Sequence, residues 1–144
     1  MKKTILTALV VALAVMACDK DEEVKLSNLE ILQAHNWKFS AMVRTENGIA
    51  SDLFTPDNCE IDDTYEFQSN LTVIYYTGTT ECYPNQEASF AEKYWLSENQ
   101  DTLHFEDEFF PTLIKSISLE KIEWETKLEE PAVGFLSCTL VEDK

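Results

Sequence analysis

Apolar and polar residues alternate with a period of two along most of the chain after residue 36. This is the pattern of strands that bury one face. The first such run is Trp37–Arg44, where every second residue is apolar. Seven further runs are rich in aromatic and β-branched residues: Thr64–Gln68, Leu71–Thr77, Ser89–Ser97, Thr102–Glu106, Leu113–Leu119, Ile122–Leu128 and Ala132–Val141. The pattern therefore predicts eight strands.

Polar segments with turn-forming residues separate these runs. Ser69-Asn70 divides two aromatic-rich runs and gives the clearest hairpin signal, while Glu98–Asp101 predicts a second hairpin turn. Glu129-Glu130-Pro131 turns the chain before the last strand. Glu46–Asp57 and Thr79–Glu87 are longer, and we predict them to be loops.

A short helix is predicted before the first strand. Apolar residues recur at near-helical spacing in Leu26–His35, and Asn36 ends the run. Ser27, with Glu30 three residues later, is typical of a capping box. We expect this helix to cover one end of the fold.

These elements predict an all-β fold, namely an eight-stranded antiparallel up-and-down barrel preceded by a short N-terminal helix. A β-sandwich is the alternative that the same spacing allows. Strands and helices do not alternate, so a parallel sheet is not indicated. Residues 26–144 are one domain's length of chain, enough for a single hydrophobic core.

The N-terminus has a different pattern. Met1-Lys2-Lys3 is basic, Thr4–Ala17 is almost entirely apolar, and Asp19–Glu23 is strongly charged. This order predicts a secretory signal peptide over residues 1–17. The apolar run is shorter than the roughly 20 residues that a transmembrane helix needs.

Val15-Met16-Ala17-Cys18 resembles the bacterial lipobox, which implies cleavage before Cys18 and lipid attachment to it. Ordinary cleavage, leaving Cys18 free or disulfide-bonded, is the alternative. Residues 18–25 would form an acidic tether. Within it, Lys20-Asp21-Glu22 resembles the signal that directs Bacteroidetes lipoproteins to the cell surface. The expected location is the outer membrane, with the membrane contact made through the lipid on Cys18 and the domain facing outward.

The charge of the chain excludes one class of partner. The formal net charge is −16, and loss of Lys2 and Lys3 with residues 1–17 changes it to −18. Nucleic acid requires a basic surface, so we do not expect it as a partner.

Three cysteines remain once Cys18 is assigned to the lipid. Cys59 and Cys82 lie in polar loop sequence, whereas Cys138 lies in an apolar run. In an oxidising compartment this favours a Cys59–Cys82 disulfide and a core position for Cys138. Three unpaired thiols are the alternative. Zinc is disfavoured because no Cys-x-x-Cys or Cys–His spacing occurs.

The domain resembles the lipocalin-like domains of Bacteroidetes lipoproteins. The resemblance rests on these segments: Trp37-Lys38, Cys59–Phe67, the turn before Leu71, Cys82-x-Pro84, Tyr94–Ser97 and Asn99–Leu103. It implies an eight-stranded barrel with a central cavity and no particular ligand. Family members often have glycine in the hairpin turn where this chain has Ser69-Asn70.

Aromatic residues are the candidates for a ligand cavity. An eight-stranded barrel either holds one small ligand or fills its interior with side chains, and these residues could do either. The candidates are Trp37, Tyr65, Tyr75, Tyr94, Phe105 and Trp124. Phe109-Phe110-Pro111 is a separate apolar segment in a predicted loop, which would cap the core or mark a contact at the barrel mouth.

Catalytic and metal-binding motifs are not found in the sequence. His35 and His104 have no neighbouring nucleophile, and there is no phosphate-binding glycine loop, so we predict neither an enzyme nor a cofactor. One acidic cluster offers oxygen ligands for calcium, but its spacing favours turn hydrogen bonds instead. The cluster comprises Asp57, Glu60, Asp62 and Asp63.

Two functional hypotheses follow. The first is a surface lipoprotein that binds a small apolar or glycan-derived ligand in its barrel. The second is a filled barrel that contacts an envelope protein through loops Glu46–Asp57 and Thr79–Glu87. In addition, Asp101-Thr102-Leu103 resembles the short acceptor sequence for protein O-glycosylation in Bacteroidetes.

Overall fold

The structure is a computed structural model that describes residues 25–55, 59–107, 111–128 and 134–144. The predicted signal peptide and Cys18 lie outside these residues. The described chain contains one α-helix, one 3₁₀ helix and nine strands. Their bounds are α1 Asn28–Leu32, β1 Asn36–Glu46, β2 Ile49–Asp52, 3₁₀ helix Cys59–Asp62, β3 Thr64–Phe67, β4 Thr72–Tyr76, β5 Ser89–Leu96, β6 Thr102–Phe105, β7 Thr112–Ile117, β8 Lys121–Leu128 and β9 Gly134–Glu142.

Eight of the strands form a closed antiparallel barrel, as the sequence predicts. Strand β1 pairs with β3, each later strand pairs with the next, and β9 pairs back with β1. The closing seam runs from the Trp37–Glu142 pair to the Glu46–Gly134 pair. At its end, a Cβ on Gly134 would lie 1.8 Å from the carbonyl oxygen of Thr45. Only glycine therefore fits where β9 enters the seam.

The ninth strand, β2, lies in a segment that the sequence analysis assigned to a loop, so that assignment is wrong over Ile49–Asp52. It forms a hairpin with β1 through Asn47 and Gly48, whose φ angles are 51° and 78°. Positive φ at both central residues is the geometry that Asn-Gly favours in a tight hairpin. Strands β2 and β3 pair with the same edge of β1, β3 near its start and β2 near its end. Strand β9 pairs with the opposite edge of β1.

One end of the barrel is closed by α1. The helix is five residues long, whereas the prediction covered Leu26–His35, and the capping box of Ser27 and Glu30 is present. A helix this short depends on tertiary packing for its stability. Leu32 supplies that packing because its side chain is fully buried, and its carbonyl accepts a hydrogen bond of 2.8 Å from Trp37 Nε1. We call this the closed end.

The core fills the half of the barrel next to α1. Its side chains are no more than 2% exposed and come from α1 and seven strands: Leu32, Trp37, Phe67, Val73, Tyr94, Leu103, Ile122 and Leu140. The opposite end, which we call the open end, carries the described connecting residues 53–55, 59–63, 77–88, 106–107 and 111. Among the described residues, no helix has the length and apolar character needed to cross a bilayer.

Candidate ligand cavity

The open half of the barrel contains a cavity of about 410 Å³. Inward-facing side chains from all eight barrel strands form its walls, and part of the 77–88 connection covers it. Cavities of roughly 300–1,000 Å³ are typical of sites for small molecules. The barrel is therefore filled at one end and hollow at the other.

Six aromatic side chains form a continuous belt around the cavity wall. The centroids of successive rings are between 4.3 and 6.4 Å apart. Tyr75 and Phe90 are stacked with an interplanar angle of 10°, and the other successive pairs meet edge to face. In order, the members of this aromatic belt are Phe90, Tyr75, Tyr65, Phe39, Trp124 and Phe105. Together they give the cavity an apolar, π-rich wall.

Four of the six aromatic candidates from the sequence lie in this belt. Trp37 and Tyr94 do not line the cavity, because they belong to the filled half next to α1. The Tyr94 hydroxyl instead accepts a hydrogen bond from Gln33 and donates one to the carbonyl of Gln68, which fixes α1 to the barrel. Sequence reasoning missed Phe39 and Phe90. Phe39 could have been found, since it follows Trp37 by two residues on the same strand face.

Two carboxylates, Glu60 and Asp63, join the cavity lining from the 3₁₀ helix and the residue that follows it. Partial desolvation raises the pKa of Glu60, and the neighbouring charge of Asp63 adds to the effect. Desolvation also raises the pKa of Asp63, with a smaller contribution from the charge of Asp62, although a hydrogen bond from the Gly78 amide opposes the rise. Both groups are therefore harder to ionise than ordinary surface acids.

Further polar groups lie among or behind the aromatic rings. Thr112 and Thr126 share a hydroxyl–hydroxyl hydrogen bond of 2.6 Å in the lining. The Tyr75 hydroxyl donates a hydrogen bond to the Glu92 carboxylate, which also accepts one from the backbone of Asp107. The cavity thus combines an apolar wall with a few fixed polar groups, as small-molecule sites commonly do.

The predicted disulfide between Cys59 and Cys82 is confirmed and joins the 3₁₀ helix to the segment Thr79–Glu87, which we call the lid. Cys82, Tyr83 and Gln86 of the lid line the cavity. The disulfide therefore holds the lid over the cavity.

Asp62 and Asp63 hold the start of the lid by hydrogen bonds. Asp62 accepts two bonds of 2.7 Å from the backbone and hydroxyl of Thr79, and Asp63 accepts one of 2.8 Å from the Gly78 amide. Gly78 has no room for a side chain, because a Cβ there would lie 2.2 Å from the Asp62 carboxylate carbon. These contacts match the turn-bonding interpretation of the acidic cluster, of which Asp57 lies outside the described residues. In the described part of the chain, no group of three or more His, Cys, Asp or Glu could hold a metal ion.

Asp62 gives the fold a pH dependence that can be measured. The hydrogen bond from the Thr79 hydroxyl is the main cause that lowers the pKa of Asp62. A lowered pKa stabilises the fold above the ordinary Asp value, and this stabilisation is lost as the pH falls through the folded-state pKa. We expect Asp62→Asn to cost about 1 kcal/mol at neutral pH, since the amide loses the negative charge that strengthens the two hydrogen bonds from Thr79. The cost should shrink below about pH 4 in urea titrations; an unchanged difference between pH 7 and pH 3 would contradict this role.

The remaining candidate residues lie away from the cavity or outside the described chain. His35 packs edge-to-face on Trp37 at the closed end, and His104 stacks on Trp95 on the outer face of the barrel. Cys138 is buried and lines the cavity, in agreement with its predicted core position.

Phe109 and Phe110 lie outside the described residues, and Pro111 is exposed. In the segment Asp101-Thr102-Leu103, the Thr102 hydroxyl donates to Asp101.

Comparison with known proteins gives no family assignment. No protein-family model matches the chain, and no curated protein matches it in sequence. The lidded, aromatic-lined cavity is therefore the feature from which a function can be argued.

Proposed function

We propose that this chain is a lipid-anchored, non-catalytic binding protein whose lipocalin-like barrel holds a small ligand in the open-end cavity. The observation that carries the proposal is the aromatic belt around about 410 Å³ of space beneath a disulfide-held lid. Aromatic walls with few polar groups favour a ligand whose body is largely apolar, including the apolar face of a glycan derivative.

The anchor fits the position of the cavity. Lys25 precedes α1, so the chain enters the barrel at the closed end. A tether of residues 18–25 spans at most roughly 25 Å when extended. An anchor on Cys18 would therefore hold the closed end near the outer membrane and leave the open end facing away from it, where a ligand can enter.

The alternative is an interaction protein with a filled barrel and a protein partner. The hollow open half weighs against it, because a filled barrel needs no lidded cavity. The alternative keeps one favourable observation: Tyr83 and Phe90 at the mouth are 60% and 52% exposed. Exposed aromatic side chains are enriched at protein contacts.

Native mass spectrometry of a soluble form that begins at Asp19 tests the binding function. The expected result is added mass that leaves on denaturation and whose identity names the ligand class. Leu136→Trp, which narrows the cavity, should reduce the bound fraction, whereas Phe135→Trp on the outer face should not. A bare mass for the wild type, with no ligand recovered from extracts, would favour the protein-contact alternative.

Membrane fractionation tests the anchor independently. We expect Cys18→Ala to abolish acylation and to release the protein from the membrane fraction. A variant that stays membrane-bound would refute the lipid anchor and leave the cavity proposal untouched.

A further inference from the structure

We infer that the ligand of the cavity is a small organic cation, in which an ammonium group is carried by an apolar body. This inference rests on the proposed binding function and narrows its ligand class. It depends on three observations: the π-rich wall, the sign of the charges in the lining, and the sign of the charges around the mouth.

The aromatic belt places six π-systems in the cavity lining, where they can attract a cation. An ammonium group within about 6 Å of a ring centroid is attracted by the negative face of the ring, and several rings around one site add their contributions. The belt continues from Phe90 at the mouth to Phe105 on the far side of Trp124. Tyr75 has an additional feature, because its hydroxyl donates to the Glu92 carboxylate. Donation to an anion increases the electron density of the phenol ring and strengthens its attraction for a cation.

The charged side chains in the lining are all acidic. Glu60 and Asp63 face the cavity, and the described lining contains no Lys, Arg or His. A neutral ligand would leave both carboxylates facing an apolar body, which disfavours their charged forms. A cationic ligand would place a positive charge beside these carboxylates and favour their charged forms. An anionic ligand would be repelled.

The charges around the mouth have the same sign. The described connecting residues at the open end, namely 53–55, 59–63, 77–88, 106–107 and 111, include seven Asp and Glu residues and no Lys, Arg or His. The closed end carries charges of both signs, since Lys25, Lys121 and Lys144 lie there with acids that include Glu30, Glu98 and Glu120. A cleft lined by one sign of charge concentrates counter-ions at its entrance and accelerates their association. The negative electrostatic potential at the open end therefore attracts cations toward the cavity before they contact the aromatic belt.

A bare metal ion fits this site less well than an organic cation. Calcium takes six to eight oxygen ligands. The lining supplies two carboxylates, together with Gln86 and three threonines, and two of those threonine hydroxyls are bonded to each other. The rest of the lining is mostly aromatic and aliphatic. An alkylated ammonium group loses little hydration on entry and fills the apolar space, which suits such walls.

A pair of isosteric probes tests the inference on the full mature chain with Cys18→Ser. Phenyltrimethylammonium and tert-butylbenzene have the same shape and differ in the replacement of nitrogen by carbon. Titrations followed by ¹⁵N chemical shifts should give at least tenfold tighter binding of the cation, with the shifted amides at the open end. Equal or tighter binding of tert-butylbenzene would overturn the inference and leave the proposed cavity function standing. Failure of both probes to bind would count against the inference and, if native mass spectra were also bare, against the proposed function.

Matched variants distinguish the effect of the two carboxylates in the lining from the effect of the protein's total charge. The double variant Glu60→Gln/Asp63→Asn should weaken binding of phenyltrimethylammonium about tenfold and leave tert-butylbenzene unchanged. The control Glu98→Gln/Glu120→Gln removes the same charge from exposed positions at the closed end and should change affinity less than twofold. If both double variants weakened the binding of phenyltrimethylammonium equally, the inference that Glu60 and Asp63 attract the cation locally would be wrong.

Phe90→Leu tests the contribution of the rings. Leucine keeps an apolar side chain at the mouth but removes the ring that stacks on Tyr75. The variant should lower the affinity for phenyltrimethylammonium more than the affinity for tert-butylbenzene. A loss of affinity for tert-butylbenzene alone would contradict cation–π recognition. Circular dichroism with thermal unfolding establishes that each variant is folded.

Discussion

Replacement of Trp37 by alanine is expected to lower the free energy of unfolding by about 3–5 kcal/mol. The Trp37 side chain is 0% exposed and lies between α1 and the filled half of the barrel. Its loss would open a large cavity and leave the Leu32 carbonyl without the 2.8 Å hydrogen bond from the indole nitrogen. The cost would combine lost apolar burial, the residual cavity and an unsatisfied carbonyl. Urea denaturation followed by far-UV circular dichroism measures it.

Trp95 offers a matched control within the same chain. It is 46% exposed on the outer face of β5 and stacks on His104 at a centroid distance of 5.3 Å. Trp95→Ala should cost less than about 1 kcal/mol, because exposed substitutions leave little cavity. If the two alanine variants were equally destabilised, the burial of Trp37 and its hydrogen bond to Leu32 could not be a main source of the stability of the fold. Trp37→Phe should fall between them, since it keeps most of the burial and loses the hydrogen bond.

The barrel could be predicted because its strands bury one face, and burial leaves a period of two in the sequence. Strand β2 leaves no such trace, since all four of its residues are exposed. Its sequence, Ile49–Asp52, does not alternate between apolar and polar, so hydrophobic patterning could not find it. The preceding Asn47-Gly48 does carry a signal, because this dipeptide favours the positive φ angles of a tight hairpin. Turn chemistry was the better guide to this strand.

The predicted helix, Leu26–His35, is longer than α1, Asn28–Leu32. Apolar spacing ends at Leu32, and Gln33 caps the helix there. Ala34 and His35 continue no apolar stripe, so the spacing gives no support for helix beyond Leu32. Pairing of β1 with β9 then begins at Trp37, which leaves little room for further helical turns. The capping box could be predicted because it depends only on residues three apart.

Only part of the candidate site could be predicted from the sequence. Alternation of apolar and polar residues shows which side chains point into the barrel, but it does not show how far along the barrel axis (its height) each side chain lies. Trp37 and Phe39 both point inward from β1, yet only Phe39 lines the cavity. Height is set by strand register and by the docking of α1, which are non-local contacts. The same limit explains why Phe90 was missed. The cavity exists because α1 and its neighbours fill one end, and no single segment of sequence encodes that asymmetry.

Removal of the disulfide by Cys59→Ala/Cys82→Ala is expected to destabilise the fold by about 3 kcal/mol, since the bond closes a loop with a sequence separation of 23 residues. The barrel should stay closed, because the β1–β9 seam does not involve the disulfide. The lid should become more dynamic, because only the hydrogen bonds of Asp62 and Asp63 would hold its first residues.

Hydrogen exchange and urea denaturation together measure this effect. Amides in residues 77–88 should exchange faster in the double variant, while those in β1 and β9 should change little apart from the global loss of stability. Reduction of the wild type should reproduce the result, and Cys138→Ala should not, since Cys138 takes no part in the disulfide. Because Cys82, Tyr83 and Gln86 line the cavity, a bound ligand should also dissociate faster when the disulfide is absent. Unchanged exchange in residues 77–88 after reduction would mean that the hydrogen bonds alone hold the lid, and that the disulfide only stabilises the fold.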